Sequence, residues 1–125
     1  MKALSVIIVG VWISLSEFLR NEILFKSHWM EHYKALGLVF PSEPVNGAVW
    51  GVWSMCYALA VFFICNKYNL GASVLISWFI GFVLMWLVIG NMGVLPFGLL
   101  AFAIPLSLLE SALACVIITK FGLKK

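Results

Sequence analysis

The chain has 125 residues, of which 64% are hydrophobic and only 10% are charged, and its mean hydropathy is +1.10. This apolar content exceeds what one soluble core of this size can bury, so the composition excludes an ordinary soluble domain. The net charge of +3 is small and spread along the chain, so it indicates no nucleic-acid partner. We therefore expect one membrane domain covering residues 1–125.

Long apolar segments predict four membrane-spanning helices, at residues 3–25, 46–65, 72–91 and 97–119. Each is close to the length of about 20 residues that crosses the hydrocarbon layer of a bilayer. The first segment is expected to be a retained helix and not a signal peptide, because a polar helical continuation follows it. Short connections between the later segments favour an all-α, antiparallel four-helix bundle.

The longest connection predicts a short helix lying in the membrane interface at about residues 27–36. Trp29 and Tyr33 recur there at helical spacing, with charged residues on the other face. Gly37 is the expected end of this helix.

Lysine and arginine indicate the orientation of the chain, because cytoplasmic loops carry an excess of them. Five basic residues fall on one side and three on the other, so both termini are expected in the cytoplasm, with the chain a multi-pass protein of a bacterial inner membrane. The first side has Lys2, Lys67, Lys120, Lys124 and Lys125, and the second has Arg20, Lys26 and Lys34.

Small and polar residues mark the faces at which membrane helices pack together. In the first and fourth segments such residues are spaced 4, 3 and 4 apart, which places each set on one helical face. The two sets are Gly10, Ser14, Glu17 and Asn21, and Ala103, Ser107, Glu110 and Ala114. Plain packing explains their glycine, alanine and serine residues but not the two glutamates.

The glutamates are costly inside a bilayer, where a charged residue at the helix centre costs at least about 2.5–3.5 kcal/mol. Glu17 has candidate partners in Arg20 and Asn21, at i+3 and i+4 on the same helix. Glu110 has none nearby in sequence and needs a partner from elsewhere, water or a proton. We expect Glu17 to be ionised and Glu110 to be protonated at neutral pH.

Several polar residues are expected at one end of the bundle, where they predict a pocket. The candidate binding residues are Glu17, Arg20, Asn21, Asn46, Asn91 and Glu110. In this interpretation Arg20 holds an anionic group, Glu17 sets the geometry of Arg20, and Glu110 exchanges a proton. The alternative for Arg20 is that its side chain reaches the interface without binding anything.

The stretch His28 to His32, "HWMEH", is the only candidate for a metal site. Its letters fit the H-x-x-E-H pattern of one class of zinc peptidases, but the chain has no third histidine. The default interpretation is an interface helix, so we expect no metal, no cofactor and no catalytic residue. The three cysteines show no metal-type or redox-type spacing and are expected to pack as small apolar residues.

The stretch "LFKSHWM" after a polar-ended first helix resembles a widespread group of small bacterial membrane proteins of unknown function. The matching positions are Leu24, Phe25, Trp29 and Met30, with Gly37 and Leu38 behind them. The resemblance implies a four-helix membrane fold and no particular activity.

The leading functional hypothesis is binding or transport of a small molecule or lipid at a polar pocket within the membrane. A structural or accessory subunit is the first alternative, and a small proton-coupled exporter is the second. An enzyme is disfavoured. The expected partners are membrane lipids and a small-molecule ligand, with no nucleic acid, and assembly into a homo-oligomer is left open.

Overall fold

The computed structural model describes residues 2–123, which form five helices and contain no strand. The helices are α1 (Lys2–Leu24), α2 (Lys26–Ala35), α3 (Pro44–Lys67), α4 (Leu70–Asn91) and α5 (Phe97–Gly122). All except α2 are long and apolar enough to cross a membrane. The prediction of an all-helical chain with four long apolar helices is therefore confirmed. Lys124 and Lys125, which entered the charge count, lie outside the described residues.

The starts of α3 and α4 lie two residues before the expected positions, and local capping explains both. Pro44 occupies the first turn of α3, where its missing N–H is not needed. The side-chain oxygen of Asn46 accepts a hydrogen bond from the backbone N–H of Glu43 at 3.0 Å. Asn69 caps α4, since its side-chain oxygen accepts from the backbone N–H of Ala72 at 2.9 Å.

Helix α2 lies against the turn that joins α4 to α5. Gly37 follows α2 with a φ of +73°, and Gly93 follows α4 with a φ of +77°, a left-handed conformation that glycine adopts readily. His32 Nε2 lies 2.7 Å from the carbonyl oxygen of Gly93, which joins the two segments. Phe25, just before α2, packs in a buried cluster with Leu95 on the turn.

The four long helices pack as a bundle in which α1 contacts α3 and α5, and α4 contacts the same two helices. Two glycines permit close approach. A Cβ added at Gly81 of α4 would lie 2.5 Å from the Tyr57 ring of α3. A Cβ added at Gly10 of α1 would overlap the Met55 thioether of α3. The core therefore depends on small residues at helix contacts, as membrane-type packing requires.

Three of the long helices contain a π-helical turn, at Leu19–Leu24, Phe79–Val83 and Ile118–Gly122. In the first, the backbone N–H of Phe25 donates to the carbonyl oxygen of Arg20 at 2.8 Å, five residues back. Such turns hold an extra residue and are frequent at functional sites. The first of these turns carries a buried charge, which is the starting point of the candidate site.

Candidate functional site

A buried polar network occupies the second half of α1. Arg20 Nη2 donates a hydrogen bond to Glu17 Oε1, and Asn21 Nδ2 donates to Glu17 Oε2 at 3.0 Å. Glu17 is only 4% exposed and Arg20 only 6% exposed, so both charges are removed from solvent. The i+3 and i+4 spacing that suggested these contacts is the spacing at which helical side chains meet. Both carboxylate oxygens of Glu17 are therefore occupied within α1.

The network extends from α1 to two neighbouring helices. Trp29 of α2 donates its indole N–H to Asn21 Oδ1 at 3.2 Å. The guanidinium carbon of Arg20 lies 5.0 Å from the centre of the Phe82 ring of α4, which is within the range of a cation–π interaction. Arg20 uses one edge for Glu17, but its Nη1 is buried and has no hydrogen-bond partner among residues 2–123. One donor edge of the guanidinium thus remains unsatisfied.

Glu110 of α5 is the second buried acidic residue, and it is fully buried. Within the described part of the chain, neither of its carboxyl oxygens has a hydrogen-bond partner. Its backbone carbonyl accepts from Trp12 Nε1 of α1 at 3.2 Å, which holds α5 against α1 at this level. Ser16, Glu17 and Arg20 are the polar neighbours of its side chain. A buried polar group without partners costs about 1–3 kcal/mol, and an ion costs more.

A cavity of about 200 Å³ between α1 and α5 reaches both unsatisfied groups. Its outer rim includes Leu15, Leu19 and Leu109, which are 62%, 51% and 53% exposed on the outer surface of the bundle. Arg20 and Glu110 also line it, and because both are buried they form its inner end. The cavity therefore connects an apolar outer surface with a guanidinium edge and a carboxyl group.

Four of the six predicted binding residues come together around this cavity or in the network beside it, namely Glu17, Arg20, Asn21 and Glu110. The structure does not bring Asn46 and Asn91 to them. Asn46 caps α3 through the backbone N–H of Glu43. Asn91 is exposed at the end of α4. Placing residues at one end of a bundle fixes their depth, but the rotation of each helix decides which face they occupy.

The two histidines of α2 each have a packing partner. His28 is exposed, and its ring meets the Phe25 ring edge to face with centroids 5.9 Å apart. His32 is bonded to the backbone of Gly93. Over residues 2–123 no group of three or more His, Cys, Asp or Glu side chains is close enough to hold a metal ion.

Other residues of the site were not assigned to it from the sequence. Phe82 covers the guanidinium, Trp12 anchors the backbone of Glu110, and Ser16 lines the cavity with the leucines. Trp12, Ser16 and Leu19 recur at helical spacing, so one shared face was readable. Leucine and tryptophan on that face are typical of an outer, apolar surface, and they give no signal for a cavity.

Comparisons of the chain with protein-family models, curated proteins and solved structures found no match. The functional inference therefore depends on the chemistry of the cavity. That chemistry combines apolar walls with one cationic donor edge and one carboxyl group, which suits a molecule with an apolar body and a small polar end.

Proposed function

We propose that this protein is an integral membrane protein that binds a small molecule or lipid in the cavity between α1 and α5. One observation carries the proposal: Arg20 Nη1 and the Glu110 carboxyl are buried without partners and line the same cavity. Nearly all buried polar groups in native proteins are hydrogen-bonded, so two unsatisfied groups around one open space need an explanation. A ligand whose polar end bonds to both groups supplies it.

The membrane setting is part of this proposal. The long helices α1, α3, α4 and α5 cross the bilayer in antiparallel order, and α2 lies in the interface. Supporting this, large apolar side chains cover the outer surface of the bundle, as at Val52, Phe63 and Leu75, which are 64%, 62% and 61% exposed. The five-to-three division of basic residues supports cytoplasmic termini in a bacterial cell membrane. The resemblance carried by "LFKSHWM" supports the same fold type.

The polar residues divide the work of binding. Glu17 and Asn21 hold the guanidinium of Arg20 in place, so that Nη1 faces the cavity with little rotational freedom. Arg20 then donates to an acceptor or anionic group on the ligand. Glu110 is uncharged in the empty cavity, because an ionised carboxylate without partners is too costly there, and it exchanges its proton with the ligand or with water.

Native mass spectrometry tests this proposal on protein extracted from its membrane in mild detergent. We expect an additional bound mass on the wild-type chain. Leu109→Trp places a bulky ring at the rim of the cavity and should remove that mass. Leu113→Trp is the matched control, since Leu113 is 38% exposed, lies one turn further along α5 and does not line the cavity.

Two results would count against ligand binding. The first is a wild-type protein that never carries a bound mass under conditions where it stays folded. The second is equal occupancy in Leu109→Trp and Leu113→Trp, because a mass bound elsewhere on the surface would be insensitive to the cavity rim.

A structural or accessory role is the second candidate, and the Glu17 network favours it. Both carboxylate oxygens of Glu17 are bonded within the chain, and the network connects α1 to α2 through Trp29 and to α4 through Phe82. In this role the charges only hold helices together. It predicts that Arg20→Gln lowers the stability of the fold while no ligand is found on any variant.

A further inference from the structure

The hydrogen-bonding capacity left open in the cavity restricts the kind of group that can fill it. Arg20 Nη1 has only donors and needs an acceptor. The protonated Glu110 carboxyl has one O–H donor and one carbonyl oxygen that accepts, and neither is used. The complementary group therefore offers an acceptor towards Arg20 and both an acceptor and a donor towards Glu110.

The charges around the cavity add a second restriction. Glu17 and Arg20 form an ion pair whose charges cancel, and Glu110 is neutral when protonated, so the inner end of the cavity has no net charge. The ionisable groups that face Glu110 are Glu17 and Arg20 of α1 and Tyr57 of α3, while α4 contributes the uncharged Phe82 ring beside Arg20. A ligand that brings an uncompensated charge into this enclosure pays the desolvation cost of that charge.

Three common polar ends can be compared on these terms. An ammonium group only donates, so it leaves Arg20 Nη1 unsatisfied and places two cations together. A sulfonate only accepts and brings in an uncompensated negative charge. A carboxylic acid has a carbonyl oxygen and an O–H side by side. It forms a pair of O–H···O bonds with the Glu110 carboxyl and also accepts from Arg20.

We propose that the ligand of this cavity is a long-chain carboxylic acid bound as the neutral acid, an inference that rests on the proposed function. Its carboxyl group lies between Arg20 and Glu110. No covalent step is involved, and no proton moves when the neutral acid enters. An acid that is ionised in solution takes up one proton on binding.

The shape of the cavity suits an alkyl chain behind such a group. A volume of about 200 Å³ holds about six or seven small heavy-atom groups, at roughly 30 Å³ for each water-sized unit. It therefore accommodates the carboxyl group and the first few carbons. The remaining chain leaves between α1 and α5 past Leu15, Leu19 and Leu109, and it lies along the apolar outer surface.

Calorimetric titration of the purified protein in maltoside micelles tests the ligand class with dodecanoic acid, dodecylamine and dodecanesulfonate. We expect only dodecanoic acid to bind, and its affinity should fall about tenfold per pH unit above the pH at which the acid itself ionises. Glu110→Leu should weaken its binding at least tenfold. Leu109→Trp should do the same without touching a polar group, and Leu113→Trp should bind like the wild type.

The outcomes separate this inference from the proposed function. Binding of dodecylamine or dodecanesulfonate in preference to the acid, with the same sensitivity to Leu109→Trp, overturns the carboxylic acid while cavity binding stands. The same holds if no probe binds although the extracted protein carries a mass that Leu109→Trp removes. If no probe binds and no mass is carried, both the ligand class and the proposed function are overturned.

Discussion

The buried pair of Glu17 and Arg20 allows a quantitative test of the site. Glu17→Gln leaves the Arg20 guanidinium buried with no carboxylate, although its Nη1 already has no partner. Arg20→Gln leaves the Glu17 carboxylate buried with only Asn21 as donor. In each single variant one full charge stays in an enclosed space without its counter-charge.

Removing one partner of a buried ion pair costs about 3–5 kcal/mol, because the remaining charge is uncompensated. The two side chains are only 7% and 4% exposed, so solvent screens the pair little and this range applies. The double variant Glu17→Gln with Arg20→Gln leaves no charge behind. We expect it to cost no more than either single variant, which corresponds to a coupling energy of about 3 kcal/mol.

The neighbouring pair of Glu22 and Lys26 is the control. Its charged atoms are 3.4 Å apart, and the side chains are 33% and 43% exposed. Exposed pairs contribute about 0–1 kcal/mol, so Glu22→Gln should change little. Tryptophan fluorescence during unfolding of the protein in mixed micelles provides the free energies. The reasoning fails if Glu17→Gln costs as little as Glu22→Gln, or if the two single costs simply add in the double variant.

Three further predictions use the same micelles. The infrared band of a protonated carboxyl should be present at neutral pH in the wild type and absent in Glu110→Gln; an unchanged band would contradict a neutral Glu110. Gly81→Ala should destabilise by about 1–3 kcal/mol, because its Cβ would lie 2.5 Å from the Tyr57 ring. Gly47→Ala, with no atom within 4 Å, should be neutral or slightly stabilising, and equal effects at the two glycines would refute the packing argument. Tyr57→Phe should lower the free energy of unfolding by about 1–3 kcal/mol, because the hydroxyl lies 3.0 Å from Ser111 Oγ in the core; no loss would show that this contact is not stabilising.

Features that depend on local sequence could be predicted. Long apolar runs indicated four long helices, and the first was expected at residues 3–25 where the structure has Lys2–Leu24. The contacts of Glu17 with Arg20 and Asn21 were also readable, because i+3 and i+4 neighbours on a helix are close whatever surrounds them.

Features that depend on how helices rotate against each other could not be predicted. Asn46 and Asn91 were expected at the pocket from their depth alone, but one caps α3 and the other is exposed. The contact of Phe82 with Arg20 joins two helices, and each residue lies in a π-helical turn that shifts the register of its face. An aromatic residue in an apolar helix also gives no sign that it covers a charge.

The position of the cavity opening determines how its occupancy should be measured. The rim at Leu15 and Leu109 is on the side of the bundle, and Glu110 lies near the middle of α5, so in a bilayer the opening faces the acyl chains and not the water. A ligand then exchanges with the pool dissolved in the lipid. Its occupancy is set by its mole fraction in the bilayer, so diluting a vesicle suspension with buffer should leave a strongly partitioned ligand in place, whereas adding empty lipid should remove it.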